Sequence, residues 1–361
     1  MLTASAPLGA VGLAVAFSSL VLIISGSNPI EAYRDMLGHA GKLEVQVDIL
    51  NRVTPLYLSG IAASIGFRVN LFNIGVEGQY ILAFLVAAHV GSLLTLPPVL
   101  HVTLILLVAM TVGAALSGLA GVLKVIRGVH EVISTIMLNA IAISGLVAWL
   151  VVEWQADGGT RRTGGRVGTE PIADSGLLPD LNGFLEMFTR DLGQGRQLES
   201  MLLIAVAVGV IYHFLVNRTV FGFDLRAAGV NPTAAHVGGV PPKRTIVTAM
   251  LISGGVAGLV GMPELMSTGY FPSNPVLNLG FTGIAVALLG RNHTVGMFFG
   301  ALIFAFLDKS SSILQITSSA TREIVVIMQG LIVLAVVVAY QVVAQIRKRQ
   351  EAAMAMLNQL T

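Results

Sequence analysis

Eight runs of about 16 residues or more contain no Asp, Glu, Lys or Arg: 1–30, 78–123, 132–152, 200–217, 245–263, 265–290, 292–307 and 324–346. A helix needs roughly 20 apolar residues to cross the hydrocarbon core of a bilayer. The second run is broken at Leu96-Pro97-Pro98 and is long enough for two crossings, and a shorter apolar run, 53–67, lies between Arg52 and Arg68. The pattern predicts an all-α, polytopic membrane protein. Its ten expected membrane segments are 8–26, 53–67, 74–95, 99–123, 129–152, 198–216, 245–263, 278–290, 294–308 and 322–344. A single transmembrane domain over 1–361 is expected. It divides into a first helix and outer segment (1–52), a first repeat (53–152), an extracytoplasmic loop (153–197), a stretch holding the sixth helix, a cytoplasmic loop and a second repeat (198–344), and a cytoplasmic tail (345–361).

Composition sharpens this picture. Charged residues make up 11%, less than half of the roughly 25% typical of soluble domains, and the mean hydropathy is +0.82. The 40 glycines fit packing inside a membrane, where small residues let helix backbones approach. Gly113-x3-Ser117-x3-Gly121, Gly254-x3-Gly258 and Gly296-x3-Gly300 read as such packing stripes. With no cysteine there is no disulfide framework, thiol nucleophile or cysteine metal site. The first apolar run lacks a basic start and exceeds a signal-peptide core, so it is expected to be a retained membrane helix.

Lys and Arg in short loops set the orientation. With both termini in the cytoplasm, Arg68, Lys124, Arg127, Arg218, Arg226, Lys243, Arg244, Arg291 and the 347–349 basic tail fall inside, and the short outer loops hold Arg34, Lys42, Arg52, Lys309 and Arg322. Trp149 and Trp154 stand where an interface anchor is expected. The 153–197 loop, rich in Gly, Arg, Asp and Pro, reads either as a solvated outer cap that touches a partner or as plain disorder.

Two short motifs resemble each other. Asn73-Ile74-Gly75-Val76-Glu77-Gly78 and Asn278-Leu279-Gly280-Phe281-Thr282-Gly283 each open an apolar helix after a short or broken segment. An odd number of crossings, five, separates their starts, so the copies point opposite ways. Inverted repeats with broken helices mark a transport pathway near the bilayer midplane. The expected pathway residues are Asn73, Glu77, Gln79, Asn139, Asn278 and Thr282. Asn73 would approach from the cytoplasmic side and Asn278 from the outer side. Glu77 is an acid inside a membrane segment, functional by default, or it caps the start of its own helix. Glu131 beside His130 reads as structural, in the first turn of a helix. Asn139 and Thr282 are neutral groups suited to a polar, uncharged solute. No further intramembrane acid is counted. The seven histidines lack ligand spacing, so no metal site is expected, and no P-loop or hydrolase motif occurs. Neither an enzyme nor a nucleic-acid-binding protein is expected.

Between the sixth and seventh segments, Asn231 is placed to cap a helix that begins at Pro232 and ends at Gly238-Gly239. About two turns of helix are unstable alone, which points to a docking partner.

The stretches 71–79, 128–139 and 226–239 resemble the permease subunits of bacterial ABC importers for nucleosides, a branch of the superfamily of ribose and branched-chain amino-acid permeases. The resemblance spans about 50 to 340. Many members carry Asn in place of His130. It implies two permease subunits, often different, around a central pathway. It also implies a cytoplasmic ATPase with two nucleotide-binding halves that holds ATP and Mg, and an extracytoplasmic solute-binding lipoprotein. The chain itself would hold no cofactor, and lipid would surround it in a bacterial cytoplasmic (inner) membrane. The docking segment implied is Arg226, Ala227, Gly229, Asn231, Pro232, Ala234, Ala235, Gly238 and Gly239. Rival readings are the same machine carrying a simple sugar or an amino acid, and an ion-coupled secondary transporter using Glu77.

Overall fold

The charge-free runs fold as helices, and no strand occurs among the described residues. The computed structural model describes residues 2–156, 168–185, 197–314, 323–335 and 338. In chain order the helices are α1 (Leu2–Ile24), α2 (Pro29–Ala40), α3 (Leu43–Arg68), α4 (Val76–Ser92), α5 (Pro98–Arg127), α6 (Glu131–Ala140) and α7 (Ala148–Glu153). They continue with α8 (Asn182–Leu185), α9 (Met201–Arg218), α10 (Val220–Val230), α11 (Pro232–Val237), α12 (Pro242–Gly258), α13 (Met262–Thr268), α14 (Leu279–Leu289) and α15 (Thr294–Ser310). A last helix, α16 (Glu323–Ala335), follows. A π-helical turn, Ile141–Val147, joins α6 to α7, and a 3-10 turn, Leu259–Gly261, joins α12 to α13.

As far as they are described, with 322–344 described only at 323–335 and 338, the ten expected segments fall on helices, but among the described residues fewer meet the length and composition of a crossing. Five helical stretches do: Pro98–Arg127, Glu131–Glu153, Met201–Arg218, Pro242–Thr268 and Thr294–Ile313. The bent pair Gly12–Ile24 and Pro29–Ala40, at 112°, raises the number to six if it forms one span. The shortfall has physical causes. α4 has 17 residues and α14 has 11, as broken helices must, and α3 carries Glu44, Asp48 and Arg52 in its first half. The expected outer segment after α1 is helical too: Asn28 accepts from the Ile30 N–H and Pro29 sits at the first helical position, a combination that starts a helix.

The chain divides into two compact units, Met1–Gln46 with Phe306–Thr361, and Val47–Ala305. The first has its own apolar core of Leu22, Ala32, Met36, Leu307, Leu314 and Met328. The second holds both motifs. There the expected glycine stripes pack on one another: a Cβ on Gly113 would lie 2.2 Å from the Gly254 carbonyl oxygen, and one on Gly258 would lie 2.1 Å from that of Ala109. α5 and α12 are therefore in backbone-to-backbone contact, which no larger residue permits.

The described part of the 153–197 loop is packed rather than solvated. The Thr169 N–H donates to Phe271 O at 3.1 Å and the Ile172 N–H to Gly269 O at 2.8 Å. His101, fully buried, meets Ser175 Oγ at 2.9 Å and Gly91 O at 3.0 Å. Trp154 stacks on His89 at 3.9 Å, while Trp149 is exposed. The Gly- and Arg-rich run 157–165 and the tail 345–361 lie outside the described residues.

Candidate functional site

The first motif lies in a buried polar knot. After α3 the chain turns at Asn70, with φ of 56°, and enters α4, whose first turns are wholly buried. Asn73 Oδ1 accepts from the Gly75 N–H at 3.1 Å and from Gln79 Nε2 at 2.9 Å. Its Nδ2 reaches Gln79 Oε1 at 3.1 Å and Ser253 Oγ at 2.9 Å. Ser253 in turn donates to Ala62 O at 2.7 Å. Asn139 grips the same turn, accepting from the Gly78 N–H at 2.9 Å and donating to Ile74 O at 2.8 Å. Asn73, Gln79 and Asn139, expected along the pathway, thus direct their hydrogen bonds to their own chain.

The second motif meets the first at the start of its helix. The Glu77 carboxylate accepts from the Asn278 N–H at 2.5 Å and the Gly280 N–H at 2.8 Å. Glu77 caps the start of α14, not of its own helix, which corrects the expectation from sequence. The contact needs glycine at 280: a Cβ there would lie 2.5 Å from Glu77 N. The single Tyr80 hydroxyl proton is shared between Glu77 Oε1 at 3.0 Å and Val276 O at 2.6 Å. Ser59 donates to Leu279 O at 2.8 Å, on the residue that matches Ile74 in the repeat.

Gly269 and Phe271 contact the 168–176 loop, whereas Arg68 contacts the turn after α14. Glu77 thus joins the start of α4 to the start of α14.

The two motifs differ in exposure. Val76 and Glu77 are buried, while Leu277, Asn278 and Phe281 are exposed and Thr282 is half-buried. Thr282 Oγ1 donates to Asn278 O at 2.8 Å, and Asn278 itself has a φ of 67°. An uncharged face rich in one aromatic and one amide is therefore presented at the start of α14.

Sequence reasoning missed Glu264, which lies on α13 inside a candidate span and accepts from the Val276 N–H at 3.4 Å. A lone acid between two charge-free runs was the available signal. Tyr80, Ser59 and Ser253 were missed because a hydroxyl in an apolar run gives no pattern of its own.

At the other expected site, Asn231 Oδ1 accepts from the Thr233 and Ala234 N–H groups, each at 3.0 Å, and starts the six-residue α11. Pro232, Ala234, Gly238 and Gly239 are exposed and Ala227 is half-buried. Ala235 is buried, Arg226 donates back to Val216 O, and Gly229 packs on the Arg68 backbone. The last three hold the loop to its own chain. Glu131 pairs with Lys124 at 2.5 Å and His130 accepts from the Val132 N–H at 3.3 Å, so both close the turn from α5 to α6 as the structural reading expected.

Residues 45–337 match the family model for the branched-chain amino acid transport system permease component. The chain belongs to this family. Its members are transport subunits rather than enzymes, so the buried knot is not a reaction centre. The chain is 33% identical over 339 residues to a guanosine ABC transporter permease of Bacillus subtilis, covering 93% of each. It is 29% identical over 309 residues to a nucleoside ABC transporter permease of Lactococcus lactis, covering 84% of this chain and 82% of the relative. A glucose ABC transporter permease of Haloferax volcanii is 29% identical over 323 residues, with 89% and 83% covered.

Proposed function

We propose that this permease is the membrane subunit of an ATP-driven importer of nucleosides in a bacterial cytoplasmic membrane, with both termini inside. The observation that carries the solute class is the match to a guanosine permease over 93% of both chains. A second permease subunit completes the pathway. A cytoplasmic ATPase with two nucleotide-binding halves docks at α10–α11, binding through Pro232, Ala234, Gly238 and Gly239. An extracytoplasmic binding lipoprotein delivers the solute. ATP and Mg belong to the ATPase, and no cofactor belongs to this chain.

The exposed start of α14 lines the pathway. Asn278 and Thr282 offer neutral hydrogen-bonding groups, and Phe281 offers an aromatic face for a base, which matches a solute that is flat, polar and uncharged. Glu77 is a poor ion site because both its oxygens already accept backbone N–H groups. That favours ATP over an ion gradient as the driving force.

A glucose-carrying relative supports a sugar as the second reading. Uptake of labelled nucleosides and of glucose into membrane vesicles containing the complete importer, with and without ATP, tests both. ATP-dependent nucleoside uptake is expected. Glucose uptake without nucleoside uptake overturns the solute class, and uptake driven by an ion gradient in the absence of ATP overturns the mechanism.

A further inference from the structure

The short helix α14 is held at both ends by charged side chains of one stretch of the first repeat. Its 11 residues span about 16 Å at 1.5 Å per residue. At its N-terminus, the positive end of the helix dipole, sits the Glu77 carboxylate. Beyond its C-terminus, where positive charge is favoured, Arg68 Nη2 donates to Asn292 O at 2.5 Å. Arg68 and Glu77 stand nine positions apart, so the segment between them forms a bracket around the helix. Tyr212 reinforces the lower arm, with its hydroxyl 2.5 Å from Ser64 Oγ and 3.1 Å from Asn292 O.

The foot of this bracket is seated on the cytoplasmic loop. A Cβ at Gly229, near the end of α10, would lie 2.4 Å from Arg68 O and 3.1 Å from Val69 Cα. Backbone rests on backbone there, with no flexible side chain between to absorb a displacement. The turn held by Arg68 is itself poised. Arg291 and Asn292 have φ of 53° and 56°, two successive left-handed residues that are not glycine, a conformation kept only when the surroundings impose it. The side-chain oxygens Asn292 Oδ1 and Thr294 Oγ1 are buried without a hydrogen-bond partner among the described residues. Buried polar atoms in a finished structure are almost always paired. Both atoms lie beside the turn that Arg68 holds.

We propose that the Arg68–Glu77 bracket couples the α10–α11 loop to α14, so that motion of the loop shifts the exposed edge Leu277–Asn278–Phe281 between two positions. Arg68 and Tyr212 are then positioning residues: they touch no solute and act through the turn at Asn292. The proposal rests on the docking and pathway assignments made above.

The test uses the complete importer reconstituted in lipid, with Leu277→Cys as the reporter in a chain that has no other cysteine. The rate of maleimide labelling is measured without nucleotide and after trapping with ATP and vanadate. The expected change on trapping is at least about fivefold in the parent reporter chain. With Arg68→Gln added it falls below about twofold, and Arg68→Lys, which keeps the charge, restores at least half of the response. Tyr212→Phe keeps the ring and removes only the bridging hydroxyl; it is expected to fall between, and it decides the matter if Arg68→Gln fails to assemble. A parent that responds while Arg68→Gln and Tyr212→Phe respond equally overturns the bracket. A parent that shows no response to trapping overturns the ATP-driven reading instead.

Discussion

The two repeat motifs share Asn, the first Gly and the last Gly, yet the first is sealed inside the chain and the second has an open side. Their backbones are treated alike. Ile74 O and Leu279 O, matched positions, are each taken by a side chain from another helix, Asn139 in one case and Ser59 in the other. The difference lies at the fifth position of the motif. Glu77 reaches out of its own helix to the other helix start, whereas Thr282 turns back onto Asn278 O. The helix starts differ as well: α14 begins directly after the left-handed Asn278, whereas α4 begins three residues after Asn73, so similar sequence yields a fixed half and a presented half.

The largest effect should come from removing the side chain that joins the two halves. Glu77→Ala leaves the Asn278 and Gly280 N–H groups short of an acceptor, at about 1–3 kcal/mol for each buried group left unmade, while the Tyr80 hydroxyl keeps Val276 O. Loss of folded protein in thermal unfolding of the detergent-solubilised subunit is expected. Thr282→Ala, the matched change, removes one local bond and should cost about 1 kcal/mol or less. Equal losses would end the distinction between fixed and presented halves.

A smaller contrast is expected between the two side chains that hold the matched carbonyls. Asn139→Ala loses a bond to Gly78 N and one to Ile74 O, and should destabilise by about 2–4 kcal/mol. Ser59→Ala loses one bond and should cost about 1 kcal/mol. Next come the glycines that end each motif. A Cβ at Gly78 would lie 2.9 Å from Asn139 Cα, and one at Gly283 would lie 2.5 Å from Ser59 Cβ. The Gly283 site is the tighter, with Ser59 backbone C at 2.7 Å as well, so Gly283→Ala should cost more than Gly78→Ala, both about 1–3 kcal/mol from overpacking. A greater loss at Gly78 would show that packing at the two motifs is not ordered this way.

Much of this frame was legible in the chain. Charge-free runs marked the helices, the glycine stripes at 113, 254 and 258 marked where α5 and α12 touch, and Asn231-Pro232 marked the start of α11. The paired motif pointed to two short helices, α4 and α14. What escaped was direction. A sequence assigns Glu77 to the first turn of α4, and a carboxylate there suits its own helix dipole, so nothing local says that it reaches a helix 200 residues away. The same limit applies to Asn73, Gln79 and Asn139. Polar residues in a membrane segment can bind solute or satisfy a neighbouring backbone, and only the fold shows that broken helices leave carbonyls and N–H groups that these side chains must meet. Glu264 was passed over because a single acid between two apolar runs looks like a loop residue.

The smallest energetic effect should accompany the clearest contrast in access. Asn73 is 1% exposed and its amide is surrounded by Gln79 and Ser253, whereas Asn278 stands at the exposed edge of α14. In this cysteine-free chain a single thiol at either place is an unambiguous reporter. Asn278→Cys should react with a small maleimide in the solubilised subunit within minutes, with little change in stability, because its side chain has no part in the knot. Asn73→Cys should react far more slowly, and its labelling should rise only as the subunit unfolds with heat, following the unfolding curve. Expected access at both positions was one consequence of reading the motifs as equal pathway walls; the buried position of Asn73 predicts a difference of at least tenfold. Similar rates at 20 °C in folded protein would mean that the first motif opens to solvent as readily as the second, and the division into a fixed and a presented half would fail.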